Sequence, residues 1–172
     1  MRARMLLSRR GARNMANLRQ NEADAVAVDA DSGSGRLLAI DLGAKRVGIA
    51  VCDELRLTCR PVTTIERRSW KALLRQIRGL IEALAARGLV IGLPMNLDGS
   101  EGPAAAEARQ IAAKFRLSLS VPVYLQDERL TSEEAKSRLR VIQKGVSAGD
   151  IDSAAAAIIL QDFIAVQQSR PA

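Results

Sequence analysis

Two apolar, β-rich runs, LLAIDL (residues 37–42) and RVGIAVC (46–52), stand only three residues apart across Gly43-Ala44-Lys45. A glycine-containing link that short folds the second run back on the first, which makes a hairpin. A third run over 57–65, beyond Asp53-Glu54, extends it to an antiparallel three-strand meander. The rest of the chain must cover the faces and extend the edge of that sheet.

After the meander the period changes. Ser69 can cap a helix in which Leu73, Ile77, Leu80, Ile81 and Leu84 recur at helical spacing, with Gly88 as the expected stop. Residues 89–93 form a short continuous apolar strand, and Pro103 suits the first turn of a helix whose apolar face is Ala104, Ala108, Ile111, Ala112 and Phe115. Residues 121–125 make another buried strand. Thr131 and Glu134 fit a capping box for a helix ending before Gly145, and a last helix runs from about Ser153 to Val166. The order β-β-β-α-β-α-β-α-α predicts an α/β fold. Its five-stranded mixed sheet has three antiparallel strands, then parallel ones, with helices on both faces and chemistry at the strand ends.

Residues 1–35 are of another kind. They begin Arg-rich, close on Asp31-Ser32-Gly33-Ser34-Gly35 and are expected to be a disordered basic leader, followed by one domain over 36–168 and a tail at 169–172. The first twenty residues hold six Arg and no acid, which loosely resembles an organellar presequence. Met15 is an alternative start that makes the leader an incidental extension, and this is the preferred reading.

Composition removes several chemistries. Histidine is absent, which excludes Ser-His-Asp and Cys-His catalysis, His-ligated zinc and the usual neutral-pH base. Cys52 and Cys59 are too few for a zinc cage or a disulfide framework, so they are expected as packing residues in a reducing cytoplasm. With 2% aromatics, recognition by base stacking is disfavoured. No apolar run approaches the roughly 18 residues of a membrane span. The net charge of +7 and pI of about 10.2 favour a polyanionic partner, nucleic acid ahead of an anionic membrane surface. Residues 1–36 contribute +3 (seven Arg less four acids), so the body supplies the remaining +4.

Asp41 is the odd member of the hairpin. Alternation sets Leu37, Ala39 and Asp41 on one face and Leu38, Ile40 and Leu42 on the other, so the acid ends an apolar strand, where an unpaired carboxylate is costly. It either accepts amide hydrogen bonds from the following turn or belongs to a group of acids. YLQDERLTS offers partners where another buried strand ends. Glu128 shares parity with Tyr124 and Gln126, whereas Asp127, on the parity of Val123 and Leu125, suits orienting Arg129 or capping the turn. Asp152 in GDIDSAAAA opens the last helix, where an acid also serves as an ordinary cap. Ala154 to Ala157 let that helix lie close to a sheet. Three converging carboxylates without His or Cys describe a hard-cation site for Mg²⁺ or Mn²⁺, which suits phosphodiester hydrolysis. Lys45, Arg46, Arg129, Arg138, Arg140 and Lys144 can surround these acids, and the loop GLPMNLDGSEGP, with Asn96, can present backbone N–H groups to a phosphate.

AIDLGAKRVGIAV, VIGLPMNLDGSEGP, YLQDERLTS and DSAAAAIILQDFI, in that order over residues 37 to about 166, resemble the YqgF/RuvX family of ribonuclease-H-like proteins. The resemblance implies a ribonuclease-H-like fold and a cytoplasmic nuclease dependent on Mg²⁺ or Mn²⁺. The family was described first as Holliday-junction resolvases and later assigned to maturation of the 5′ end of pre-16S rRNA. It places the catalytic, metal-binding acids on Asp41, on Glu128 or Asp127, and on Asp152. The segment GVSAGDID departs by being short and acidic where the family is more basic, so Asp150 competes for the role of Asp152. The expected partner is structured RNA or branched DNA. A junction, needing two cuts, wants a homodimer, and a precursor end needs only one active site. Two other readings stand beside these: a non-catalytic ribosome-assembly factor, and an actin-like ATPase, whose phosphate loop IDLG also resembles but which needs two such domains.

Overall fold

The computed structural model describes residues 34–130 and 148–169. The expected helix from Thr131, with Arg138, Arg140 and Lys144, lies outside the described residues, as do residues 1–33 of the leader and 170–172 of the tail.

Strands β1 (Leu37–Leu42), β2 (Arg46–Cys52) and β3 (Cys59–Glu66) form the meander, with Asp41 opposite Gly48 and Gly48 opposite Thr64. Helix α1 (Trp70–Ala83) leads to β4 (Gly88–Leu93), which pairs parallel to β1. Helix α2 (Pro103–Ser118) leads to β5 (Val123–Asp127), parallel to β4. The sheet order is β3-β2-β1-β4-β5, the five-stranded mixed sheet expected. A 3₁₀ turn, Glu128–Leu130, follows β5, and α3 spans Ala148–Gln168, opening earlier than expected. No helix among the described residues is long and apolar enough to cross a membrane.

Strand alternation divides the interior into two layers. Leu38, Ile40, Val47, Ile49, Leu89, Ile91 and Val123 face α1 and α2, meeting Leu73, Ile77, Ile81, Ile111 and Phe115. Leu37, Ala39, Val90 and Tyr124 face α3 through Ile159, Leu160, Phe163 and Ile164. On β2 the α3 face is lined by small residues, and Ala50 packs directly on Ala156 and Ala157. Asp41 therefore ends the strand on the α3 side.

Local chemistry sets the boundaries. The Ser69 hydroxyl accepts the Ala72 N–H at 3.3 Å, and Pro103 stands in the first turn of α2. Two expectations are corrected. Gly88 does not stop α1: the chain turns at Ala85 (φ 51°), and Gly88 opens β4, where a Cβ would come within 2.8 Å of Leu37 Cδ2. In the first turn of α2 the buried alanine is Ala105 rather than Ala104, because Ala105 packs with Ala108 against Leu93 at the end of β4. Cys52 and Cys59 face each other across β2–β3 as free thiols, and burial pushes both pKa values up, Cys59 to about 12.

Phe115 is fully buried and packs against Trp70, with ring centroids 4.8 Å apart. Phe115→Ala is predicted to destabilise the fold by about 3–5 kcal/mol in chemical denaturation.

Candidate active site

The carboxyl ends of β1, β4 and β5 lie at one end of the sheet, and three acids reach it from different elements. Asp41 ends β1, Glu128 opens the 3₁₀ turn after β5, and Asp152 stands in the first turns of α3. All three are half-buried. Burial and then the like charge of Asp152 push the Asp41 pKa up to about 6. Burial, then the charges of Asp41 and Asp127, push Glu128 up to about 7. These carboxyls sense one another and resist joint ionisation.

Two glycines, unnoticed in the sequence reading, make this corner. Gly48 lies beside Asp41 on β2, and a Cβ there would run into the Asp152 carbonyl and come within 2.8 Å of the Ser153 nitrogen. Gly92, on β4, leaves the space taken by the Glu128 carboxylate, and its Cβ would meet Ile159 Cδ1 at 2.7 Å. The signal was available, since a glycine inside an apolar strand marks a close approach. Thr64, next in the row after Gly48, donates its hydroxyl to the Gly149 carbonyl and ties the start of α3 to β3.

The competing acids separate. Asp127 accepts Arg129 Nε at 3.1 Å on each oxygen and Nη2 at 2.6 Å. Burial acts upward on Asp127, but the Arg129 hydrogen bonds and charge outweigh it and hold its carboxyl below the usual range. Asp150 is exposed and is not among the causes of the Asp41 shift, whereas Asp152 is. Asp152 in turn accepts Arg46 Nε at 2.6 Å.

Among the described residues no group of three acids or thiols is arranged to hold a metal ion. The donor set nevertheless suits one in kind. Asp41 and Glu128 are oxygen donors in a low-dielectric corner whose mutual repulsion a hard divalent cation would relieve, while Asp152 is turned to Arg46. Around them Lys45, Arg46 and Arg129 are exposed. Lys144 lies outside the described residues. The loop differs from expectation: the N–H groups of Asn96, Gly99 and Ser100 bond to Ser100 O, Asn96 O and Asp98 Oδ1, so these amides are used within the loop. The Asn96 side chain donates to Ser100 Oγ at 2.9 Å.

Folded-state pKa values raised above the unfolded ones stabilise the protein below the unfolded values, and that contribution is lost as pH rises through about 6 to 7. In the metal-free protein Asp41→Asn should therefore gain about 2 kcal/mol on wild type between about pH 4 and about pH 8, read by denaturation at each pH. Gly48→Ala should destabilise by about 3 kcal/mol, because the obstacle is α3 backbone. Gly92→Ala should cost less, since the flexible Glu128 carboxylate gives way.

Comparison with known proteins converges on one family. The RuvX family model, described as Holliday junction resolvase, matches residues 35–166. A protein of Anaeromyxobacter dehalogenans (strain 2CP-C) named "Putative pre-16S rRNA nuclease" is 47% identical over 133 residues, covering 75% of this chain and 96% of that protein. One of the same name from Syntrophus aciditrophicus (strain SB) is 37% identical over 140 residues, covering 78% and 92%. Among solved structures, Thermus thermophilus RuvC is similar with a TM-score of 0.52 at 12% identity, over 80% of this chain and 99% of that one. RuvC in complex with a Holliday junction substrate gives 0.51 at 11%, over 76% and 95%. At those identities the likeness bears on fold, and the fold is RuvC-like, in keeping with the ribonuclease-H-like expectation. From the family match and the relatives together, the chain belongs to the RuvX (YqgF) family.

Proposed function

We propose that this protein is a cytoplasmic, metal-dependent nuclease that hydrolyses phosphodiester bonds in maturing the 5′ end of pre-16S rRNA. The observation that carries the reading is the coupled pair of half-buried carboxyls, Asp41 and Glu128, at the end of a RuvC-like sheet. The names of the relatives support the substrate.

Asp41, Glu128 and Asp152 would hold Mg²⁺ or Mn²⁺, which when bound supplies water activation and charge neutralisation at the phosphate. The rest of the work falls to the chain itself. Lys45, Arg46 and Arg129 bind the RNA backbone, with Asn96 and Lys144 in the same set. Arg46 holds Asp152 in the absence of substrate, and a phosphate oxygen competing for that guanidinium would free the carboxylate. Asp127 orients Arg129 through its two-oxygen clasp. Water oxygen bonds to phosphorus as the P–O3′ bond breaks; the attacking water gives up one proton and the departing O3′ takes one up, leaving 3′-OH and 5′-phosphate ends.

The test offers precursor rRNA and a four-way DNA junction side by side, with Mg²⁺ and with Mn²⁺. Metal-dependent cleavage of the RNA is expected, reduced in folded Asp41→Asn by roughly a hundredfold to a thousandfold, the scale of losing one transition-state stabiliser. Cleavage of the junction alone would move the assignment to a resolvase, as the family description has it. Undiminished cleavage by Asp41→Asn would overturn the site, and binding without cleavage of either substrate would favour a non-catalytic assembly factor.

A further inference from the structure

Away from the carboxylate corner, positive charge gathers on the approach to α1 and its first turns, with Glu82 as the helix's one acid, at its far end. Residues 67–78 hold Arg67, Arg68, Lys71, Arg75 and Arg78 and no acid. Lys71, Arg75 and Arg78 stand four and three residues apart, so they rise from one exposed strip of the helix. This arrangement opposes folding. Like charges at these spacings repel. Lys71 also lies in a first turn that contains no acid, at the positive end of the helix dipole. Arg67 and Arg68 are answered by Glu107 and Glu66, but none of the ion pairs among the described residues engages Lys71 or Arg75. A strip that repels itself is complementary to a polyanion.

The strip also connects to the active-site end of the sheet. The Arg67 N–H donates to the Lys45 carbonyl at 2.9 Å and its guanidinium to the Gly43 carbonyl at 3.2 Å, tying the approach to α1 to the turn that follows Asp41. A cavity of about 190 Å³ opens between them, lined in part by Ala44, Arg68, Trp70 and Lys114. The exposed large apolar residues Leu55, Leu57, Leu97 and Leu117 all lie off α1, so the strip lacks the apolar anchors a lipid surface would take.

We propose that the outer face of α1, from Lys71 through Arg75 to Arg78, carries the sugar-phosphate backbone of a double-stranded RNA segment leading away from the scissile bond. The inference rests on the nuclease reading above and extends its substrate contact past the β1–β2 turn.

The test titrates full-length wild type, K71A/R75A and the charge-restoring K71R/R75K onto a stem-loop RNA carrying the precursor end, in EDTA, over a range of salt. K71A/R75A should bind roughly tenfold more weakly at about 0.1 M salt, with a log–log salt slope shallower by about 1 to 2. K71R/R75K should keep wild-type affinity, and without RNA the melting temperature of K71A/R75A should be no lower than that of wild type. Wild-type affinity and slope in K71A/R75A would overturn the proposal. So would a loss confined to anionic vesicles of phosphatidylserine and phosphatidylcholine, with RNA binding unchanged. Failure of wild type to bind the RNA would overturn this surface and the nuclease reading together. The predicted loss in a protein that never cleaves the RNA would support the surface and overturn the nuclease reading alone.

Discussion

The seating of α3 on the sheet sets the chemistry of this molecule. Helix and strands come together only because β2 presents Gly48 and Ala50 to the Asp152 carbonyl, Ala156 and Ala157. That approach sets Asp152 beside Asp41, and the second gap, at Gly92, takes the Glu128 carboxylate. The result is a corner in which burial and like charge act in the same direction, raising both Asp41 and Glu128. A fold chosen for stability alone would not keep them there.

The basic side chains are arranged in two ways. Arg46 and Arg129 are held by carboxylates, Asp152 and Asp127, so their positions are set before any substrate arrives. Among the described residues no carboxylate pairs with Lys71 or Arg75 on α1. Held cations suit contact near a reacting phosphate, where geometry matters. Unheld ones suit longer-range attraction of a backbone, where charge is enough.

Much of this was legible in the amino-acid sequence because two periods carried it. Alternation placed Asp41 on the same side as Leu37 and Ala39, and Glu128 on the parity of Tyr124 and Gln126, and the structure puts that side against α3. Other features depended on tertiary contact that no local pattern encodes. Gly48 and Gly92 mark close approaches by standing inside apolar strands, but what fills the space, α3 backbone at one and the Glu128 carboxylate at the other, is set by tertiary contact. Gly88 looked like a helix stop, whereas Ala85 makes the left-handed turn after α1, and Gly88 opens β4, where Leu37 and Tyr124 leave no room for a side chain. The loop around Asn96 looked ready for a phosphate, but Asp98 and Ser100 draw its amides inward. The strip on α1 went unread because each cation, taken singly, looks like a solvated surface charge.

The central claim is that Asp41 and Glu128 are kept close and half-buried in order to share a divalent cation. Thermal unfolding of wild type, Asp41→Asn and Glu128→Gln against increasing Mn²⁺ at about pH 8 tests it without reference to any substrate. The account predicts that the wild-type melting temperature climbs with Mn²⁺ while those of the two variants stay nearly flat. A wild-type melting temperature indifferent to Mn²⁺, or one that rises equally in all three proteins, would contradict it.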